Sequence, residues 1–223
     1  MIKEILYGSD SINVAVFHCI NGIQGELFDQ AMLLGSSIGN YKLFPLYVVI
    51  IILFTLLRGK AIAATNDVIQ LRKFRHKMAE TVIFLILSYI IYLGWVHGLK
   101  AFLHMPRPFV MLPEGTVHIM DKVKFNENPM TSFPSGHAAF SMLMLVGLWP
   151  VLNKPWRIAG VLILLWIGFS RIALGVHFPS DVVFSWALSF IIVTLTAKFA
   201  VRIVSIIKLL FFFLLFRYFR ILP

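Results

Sequence analysis

Apolar segments separated by short polar connections make up most of this 223-residue chain. A helix needs about 20 residues to cross a lipid bilayer, and these segments with their flanking residues are of that order. Inside lipid the backbone polar groups must be paired within the protein, and a helix pairs them within one segment. The pattern therefore predicts an all-α membrane bundle of five to six transmembrane helices, with spans at residues 43–57, 81–102, 136–149, 158–169 and 182–197.

The N-terminal segment has a different pattern from the rest of the chain. Apolar residues recur at helical spacing over residues 11–39, but Glu26 and Asp29 interrupt them. Such a segment is typical of an amphipathic helix lying in the membrane interface. The residues from Gly35 to Asn40 are predicted to form the turn that follows it.

These patterns divide the chain into three parts. Residues 1–42 are predicted to be the interfacial segment, 43–200 the membrane-embedded domain and 201–223 a hydrophobic, basic tail. For residues 11–36 and 203–219, the pattern leaves open whether they cross the membrane or lie on it.

Composition strengthens the membrane prediction. Only 13% of the residues are charged, against about a quarter in a soluble domain, and the mean hydropathy is +0.87. The 20 lysines and arginines outnumber the 10 acidic residues. Because the basic residues adjoin the hydrophobic segments, the positive-inside rule explains them better than nucleic-acid binding, which we do not expect.

The distribution of basic residues also predicts the topology. The connections 58–79 and 150–157 and the C-terminal tail are net basic, and we interpret them as cytoplasmic loops and tail. With five spans, the connections 104–133 and 170–180 then share the opposite face. The chain is therefore predicted to be a multi-pass protein of a cytoplasmic membrane, with its polar clusters at the outer face.

The first polar cluster holds two cations. Lys100 stands near the end of a span, and Arg107 lies between Pro106 and Pro108, which restrict the chain around it. A guanidinium can contact a phosphate through two N–H groups, and lysine supplies a point charge. The alternative for Lys100 is a side chain that only extends to the lipid headgroups.

The second cluster, Pro134-Ser135-Gly136-His137, opens a predicted helix. The unpaired amides of a helix N-terminus bind phosphate, Gly136 permits close approach, and Ser135 can add a hydroxyl or cap the helix. His137 could protonate a departing oxygen. The alternative is an ordinary Pro-Ser helix start followed by an interfacial histidine.

The third cluster is Ser170-Arg171, followed by His177 and Asp181. His177 and Asp181 are four residues apart, so the carboxylate can accept a hydrogen bond from one imidazole nitrogen. The other nitrogen would then be unprotonated, as a nucleophile requires. The alternative is a pair that only caps the helix that follows.

Together the clusters resemble the signature of the type 2 phosphatidic acid phosphatase family: Lys-x6-Arg-Pro, Pro-Ser-Gly-His and Ser-Arg-x5-His-x3-Asp, over roughly residues 80–200. The resemblance implies a lipid phosphate phosphatase in which His177 attacks phosphorus to give a phosphohistidine, Asp181 orients His177, and His137 protonates the leaving group. It further implies that the phosphate oxygens are held by Lys100, Arg107, Ser135, Gly136 and Arg171. We expect no metal and no other cofactor, because a Mg²⁺ site favours several carboxylates and only Asp181 is placed here.

The substrate is less clearly indicated than the reaction. The residues Ile20-Asn21-Gly22 and Phe28-Asp29 are similar to those of short bacterial family members, including undecaprenyl-diphosphate phosphatases, and favour that lipid. Lipid A, phosphatidylglycerophosphate and phosphatidic acid stay open.

The same residues are compatible with other functions. A lipid-to-lipid phosphotransferase could use the same residues, and a lipid-phosphate binding or transport protein could use the cations without catalysis. Anion binding alone needs no general acid, so the set His137, His177 and Asp181 argues against the last. The soluble vanadate-dependent haloperoxidases share the signature, but the hydropathy of this chain argues against a soluble protein.

Overall fold

The computed structural model describes Tyr7 and residues 11–219, and for residues 121, 122 and 200–219 it describes the backbone alone. This part of the chain contains helices and no strand, which confirms the all-α prediction. The helices are α1 (Ile12–Asn21), α2 (Glu26–Ile38), α3 (Phe44–Ala63), α4 (Val68–Leu103), α5 (Pro108–Met111), α6 (Asp121–Lys124), α7 (Gly136–Leu148), α8 (Lys154–Ala173) and α9 (Pro179–Phe219).

Four of the helical segments are long and apolar enough to cross a membrane: Tyr41–Ala63, Val68–Met111, Lys154–Ala173 and Pro179–Phe199. The protein is therefore a multi-pass membrane protein. The predicted span 136–149 is α7, an apolar helix of 13 residues and thus about 20 Å long. Helices α4, α8 and α9 pack around it, so α7 is the central helix of the bundle.

The prediction of a long basic loop over residues 58–79 was wrong. Helix α3 continues to Ala63, and α4 begins at Val68. The side chain of Asp67 accepts a 2.8 Å hydrogen bond from the amide of Gln70 and so caps α4. The basic residues that follow have high helix propensity and include no proline or glycine, so the helix extends through them.

The N-terminal segment forms two helices instead of the one predicted, because the chain leaves the helix after Asn21 and re-enters it at Glu26. The turn was placed too early, since Gly35 lies within α2, which ends at Ile38. A Cβ on Gly35 would lie 2.9 Å from Nε1 of Trp166, so glycine allows α2 to lie close against α8. Both α1 and α2 pack on α8, and α1 also contacts α9.

Small residues bring the central helices together. A Cβ on Gly147 of α7 would lie 2.4 Å from Leu85 of α4, and one on Gly168 of α8 would lie 2.1 Å from Trp186 of α9. Close approach at glycine is a common way of packing membrane helices, where burial of apolar surface provides little driving force. Helix α9 continues unbroken past residue 200, and the division of the chain into three parts stays a prediction.

Candidate active site

The predicted site residues lie at one end of the bundle, where α4 and α8 end and α7 and α9 begin. The loop after α4 carries Arg107, and the loop between α8 and α9 carries His177. Hydrogen bonds and ion pairs connect these segments directly. The fold therefore brings together residues that are up to about eighty positions apart in the sequence, while their catalytic roles stay predictions.

Arg107 is only 2% exposed and is held by several acceptors. Its Nε donates to the carbonyl of Asn128 and its Nη1 to the carbonyl of Val176, each at 2.8 Å. Its Nη2 lies 2.6 Å from Oε2 of Glu127. These contacts fix the plane of the guanidinium, so its remaining N–H groups have a defined direction.

The imidazole of His177 lies beside this guanidinium, with Nε2 3.2 Å from Nη1 of Arg107. A guanidinium has no acceptor atom, so Nε2 must accept and therefore carries the lone pair. Neutral His177 then holds its proton on Nδ1. Burial, followed by the charges of Arg107, Arg171 and Lys100, lowers the pKa of His177 well below its ordinary value and keeps the ring neutral.

Asp181 lies on the Nδ1 side of His177, with its Oδ2 3.6 Å from Nδ1, slightly beyond hydrogen-bond distance. The hydroxyl of Ser132 donates to Oδ2 at 2.6 Å, and the hydroxyl of Tyr7 donates to Oδ1 at 2.7 Å. The amide of Phe178 also donates to Oδ2, at 3.0 Å. The carboxylate is thus fully buried and fixed in position by partners from three segments, and sequence reasoning missed both hydroxyls.

The N-terminus of α7 forms another side of the site. Ser135 occupies the N-cap position, but its side chain makes no capping hydrogen bond, and its amide donates to the hydroxyl of Ser185 at 2.7 Å. The Ser135 hydroxyl is buried and has no hydrogen-bond partner among the residues described. The carbonyl of Gly136 accepts from the hydroxyl of Tyr92 at 3.0 Å, which anchors this turn to α4.

Lys100 and Arg171 complete the group of cations. Lys100 donates from Nζ to the carbonyl of Thr131 at 2.9 Å, so it is directed into the 104–133 connection. Nη1 of Arg171 donates to the hydroxyl of Ser36 on α2 at 2.5 Å. Nε of Arg171 is buried without a partner in the described part of the chain, and is therefore a donor that a ligand could use.

Glu127 is a site residue that sequence reasoning did not identify. Its carboxylate bridges the two arginines, Oε2 contacting Nη2 of Arg107 and Oε1 contacting Nη2 of Arg171. Burial favours a raised pKa for Glu127, but the charges of Arg171 and Arg107 outweigh it and hold the pKa below its ordinary value. The sequence indicated only that Glu127 balances basic residues in the same connection.

A cavity of about 240 Å³ adjoins these groups. His137, Glu127 and Arg171 line one part of it, and Ser36 and Asn40 line another part. Helix α2 and the turn after it thus contribute a wall of the cavity, and α2 also contacts Arg171. Arg171 and His137 line the cavity, and Arg107 and His177 lie behind them, so the site can bind an anionic group and attack it.

Comparison with known proteins gave four further findings. A family model described as the PAP2 superfamily matches residues 81–205, more than half of the chain. The fold resembles Aquifex aeolicus LpxE, with a TM-score of 0.66 and 23% identity, covering 84% of this chain and 96% of that chain. It also resembles the first transmembrane PAP2 type phosphatidylglycerolphosphate phosphatase from Bacillus subtilis, with a TM-score of 0.60 and 20% identity. That match covers 89% of this chain and 92% of that chain. No curated protein sequence matches this chain significantly.

Proposed function

The chain belongs to the PAP2 superfamily, and from that membership we propose that it is a membrane phosphatase that removes phosphate from a lipid phosphate or diphosphate. The observation that carries this proposal is the unprotonated Nε2 of His177, in contact with Arg107 and surrounded by three cations. A neutral imidazole among cations suits attack on phosphorus, because the cations stabilise the anionic transition state.

In the first step, Nε2 of His177 forms a bond to the terminal phosphorus as the bond from that phosphorus to the leaving oxygen breaks. This is the ester oxygen of a lipid phosphate or the bridging oxygen of a lipid diphosphate. The phosphate oxygens accept hydrogen bonds from Arg107, Arg171 and Lys100. Nη1 of Arg107 then no longer donates to Nε2 of His177, and the Nε2 lone pair is free. The proton on Nδ1 faces Asp181, whose negative charge stabilises the imidazole as it becomes positive. The product of this step is a phosphohistidine.

Protons are supplied and removed by His137 in this scheme. The negative charge of the bound phosphate favours protonation of His137, which then transfers this proton to the departing oxygen. His137 then accepts a proton from water as the water attacks the phosphohistidine and the N–P bond breaks. Inorganic phosphate is released, and His177 is again neutral. The site is proposed to face the outer side of the bacterial cytoplasmic membrane, because basic residues at the end of α3, the start of α4 and the start of α8 mark the opposite face.

Undecaprenyl diphosphate is the proposed substrate, with lipid A, phosphatidylglycerophosphate and phosphatidic acid as alternatives. The N-terminal residues that suggested it have contacts inside the protein. The side chain of Asn21 donates to the carbonyls of Ala173 and His118, each at 2.8 Å, and Asp29 pairs with His118. They therefore support the end of α8, and the substrate proposal rests on the resemblance alone.

The test is release of phosphate from these four lipids by the purified full-length protein in detergent, with His177→Ala as the inactive control. Turnover of at least one lipid is expected, and a radiolabelled phosphate should be released free or be trapped on His177 after an acid-free quench. Turnover should continue in EDTA, since the proposed mechanism uses no metal. Negligible turnover of all four lipids, or full activity in His177→Ala, would overturn the proposal.

A further inference from the structure

The carboxylate of Glu127 contacts the same two guanidiniums that the proposed mechanism assigns to the phosphate. One oxygen lies 2.6 Å from Nη2 of Arg107, and the other contacts Nη2 of Arg171. A phosphate that binds both arginines through their Nη2 groups would need these same N–H donors, and a phosphate held at the free Nε of Arg171 would still place its negative charge beside the Glu127 carboxylate. Glu127 and a phosphate are therefore alternative partners for one pair of arginines.

Glu127 is well placed to move away from the arginines. Its side chain is 19% exposed, whereas the side chains of Arg107 and Arg171 are 2% and 4% exposed. It lies in the connection between α6 and α7, whereas Arg107 is fixed by backbone carbonyls from two segments. Exchange of the carboxylate for a phosphate would thus leave the arginines in place.

We propose that Glu127 sets an affinity threshold at this site: the ligand must displace its carboxylate from Arg107 and Arg171, and this cost leaves a dianionic terminal phosphate bound and a monoanionic phosphodiester unbound. This inference rests on the proposed phosphatase function. Because Glu127 is part of the same chain, its effective concentration at the arginines is high. A phosphodiester carries one negative charge, so it would replace one monoanion by another and gain no charge interaction.

The discrimination has the character of a threshold. The same displacement cost applies to a monoester and to a diester, and it weakens both by the same factor. The dianion retains useful affinity after this loss because it brings a second negative charge to three cations. The affinity of the monoanion falls below the measurable range. Phosphodiester lipids would thereby be kept from occupying the site.

The probes for the test are methyl phosphate and dimethyl phosphate, whose binding to the full-length protein in detergent is measured by calorimetry. The main variant is Glu127→Gln, which keeps the size of the side chain and removes its charge. Glu114→Gln is the matched control, because Glu114 is exposed, also lies in the 104–133 connection, and changes the net charge equally when replaced. Glu127→Asp keeps the charge but shortens the side chain, so it can no longer span both arginines.

In wild type and in Glu114→Gln, methyl phosphate should bind and dimethyl phosphate should not. Glu127→Gln should bind methyl phosphate about tenfold more tightly or better, and binding of dimethyl phosphate should become measurable. Glu127→Asp should also bind methyl phosphate more tightly than wild type, by a smaller factor. This variant tests the inference if Glu127→Gln fails to fold. In Glu127→Ala, formate should compete with methyl phosphate, because it replaces the missing carboxylate.

Weaker or unchanged binding of methyl phosphate in both Glu127→Gln and Glu127→Asp would overturn the inference, since Glu127 would then support the arginines instead of competing for them. Binding of dimethyl phosphate by wild type would overturn it as well. These results differ from a failure of the proposed function. In that case wild type would hydrolyse none of the lipids and would bind neither probe.

Discussion

The hydroxyl of Ser132 donates a 2.6 Å hydrogen bond to Oδ2 of Asp181, 49 residues away in the sequence. Oδ2 is also the carboxylate oxygen nearest to Nδ1 of His177, at 3.6 Å. Ser132 therefore positions the carboxylate that is proposed to stabilise the imidazole during attack. This relationship leads to the first prediction.

Asp181→Asn should lower kcat by about 10²- to 10⁴-fold, because an amide cannot stabilise a positive imidazole and can favour the wrong tautomer. Ser132→Ala should lower kcat by less than about tenfold, since the amide of Phe178 still donates to Oδ2. Steady-state kinetics with the best lipid of the panel measures both. A larger loss in Ser132→Ala than in Asp181→Asn would show that Ser132 acts on something other than the carboxylate.

Arg107→Lys should reduce kcat/KM by about 100-fold or more, although it keeps the positive charge. An ammonium group cannot contact the carbonyls of Asn128 and Val176 and still present a second N–H to a phosphate oxygen. Kinetics on the same lipid measures the effect. Arg75→Lys is the matched control, because Arg75 is exposed on α4, and it should behave as wild type. Equal activity of Arg107→Lys and wild type would contradict a bidentate role.

The pH profile should reflect the lowered pKa of His177. Protonation removes the lone pair on Nε2, so the acid limb of kcat/KM reports this pKa in the free enzyme. Because burial and the neighbouring cations lower it, protonation of His177 should cause no loss of activity as pH falls through about 6.5, the ordinary pKa of histidine; a decline there that follows the second ionisation of the phosphate, at about 6, belongs to the substrate.

Two variants identify the group behind this limb. Lys100→Gln removes one of the cations that lower the pKa of His177, so its acid limb should move to higher pH. In Glu127→Gln the limb should persist, because the titrating group is still present. Loss of the limb in Glu127→Gln would assign it to the Glu127 carboxyl instead of to His177.

Ser36→Ala should raise KM by a few-fold, to about tenfold at most, with a smaller change in kcat. The variant removes the hydroxyl that accepts from Nη1 of Arg171, so the guanidinium loses one of its fixed contacts. Thr55→Ala is the matched control, because its hydroxyl bonds only to the carbonyl of Ile51 within α3. If both variants retained the wild-type KM, α2 would be a wall of the cavity without influence on phosphate binding.

Gly175→Ala should lower the thermal stability and disturb the loop that carries His177. Gly175 has φ +74°, where a residue with a Cβ is strained by about 1–2 kcal/mol. A Cβ there would also lie 2.7 Å from the carbonyl oxygen of His118. Differential scanning fluorimetry in detergent measures the loss, and phosphate release should fall with it.

Two other glycines separate these effects. Gly115 has φ +83° but nothing within 4 Å of its Cβ position, so Gly115→Ala should show the backbone strain without the clash. Gly98 lies within α4 with open space around it, and Gly98→Ala should stabilise the helix by about 0.5–1 kcal/mol. A Gly175→Ala protein as stable as Gly98→Ala would contradict the strain argument.

The sequence alone determined the fold class and the residues that form the core of the site. Long apolar segments predict membrane helices because lipid requires every backbone polar group to be paired, and this depends only on local composition. The signature residues were recognisable because their spacing resembles the family signature. In the structure Lys100, Arg107, His177 and Asp181 each lie at a helix end or in a loop beside one.

Local helix limits were harder to predict. The polarity of the basic residues after Asp67 predicts a loop. They are helical because the lysines, arginines and glutamine among them are good helix formers. The third predicted span is the short central helix α7, which is surrounded by other helices. Its length reflects packing inside the bundle, which the hydropathy of a single segment does not reveal.

Only the tertiary structure decided which polar side chains join the site. Tyr7, Ser36, Glu127 and Ser132 belong to segments whose sequence has no signature spacing, and three-dimensional packing brings them against Asp181, Arg171 and Arg107. The physical reason is that burial of an unpaired charge costs free energy, so buried charges are paired with polar groups that are close in space but need not be close in sequence. The contact of Glu127 with both arginines, on which the specificity inference rests, could therefore be seen only in the folded chain.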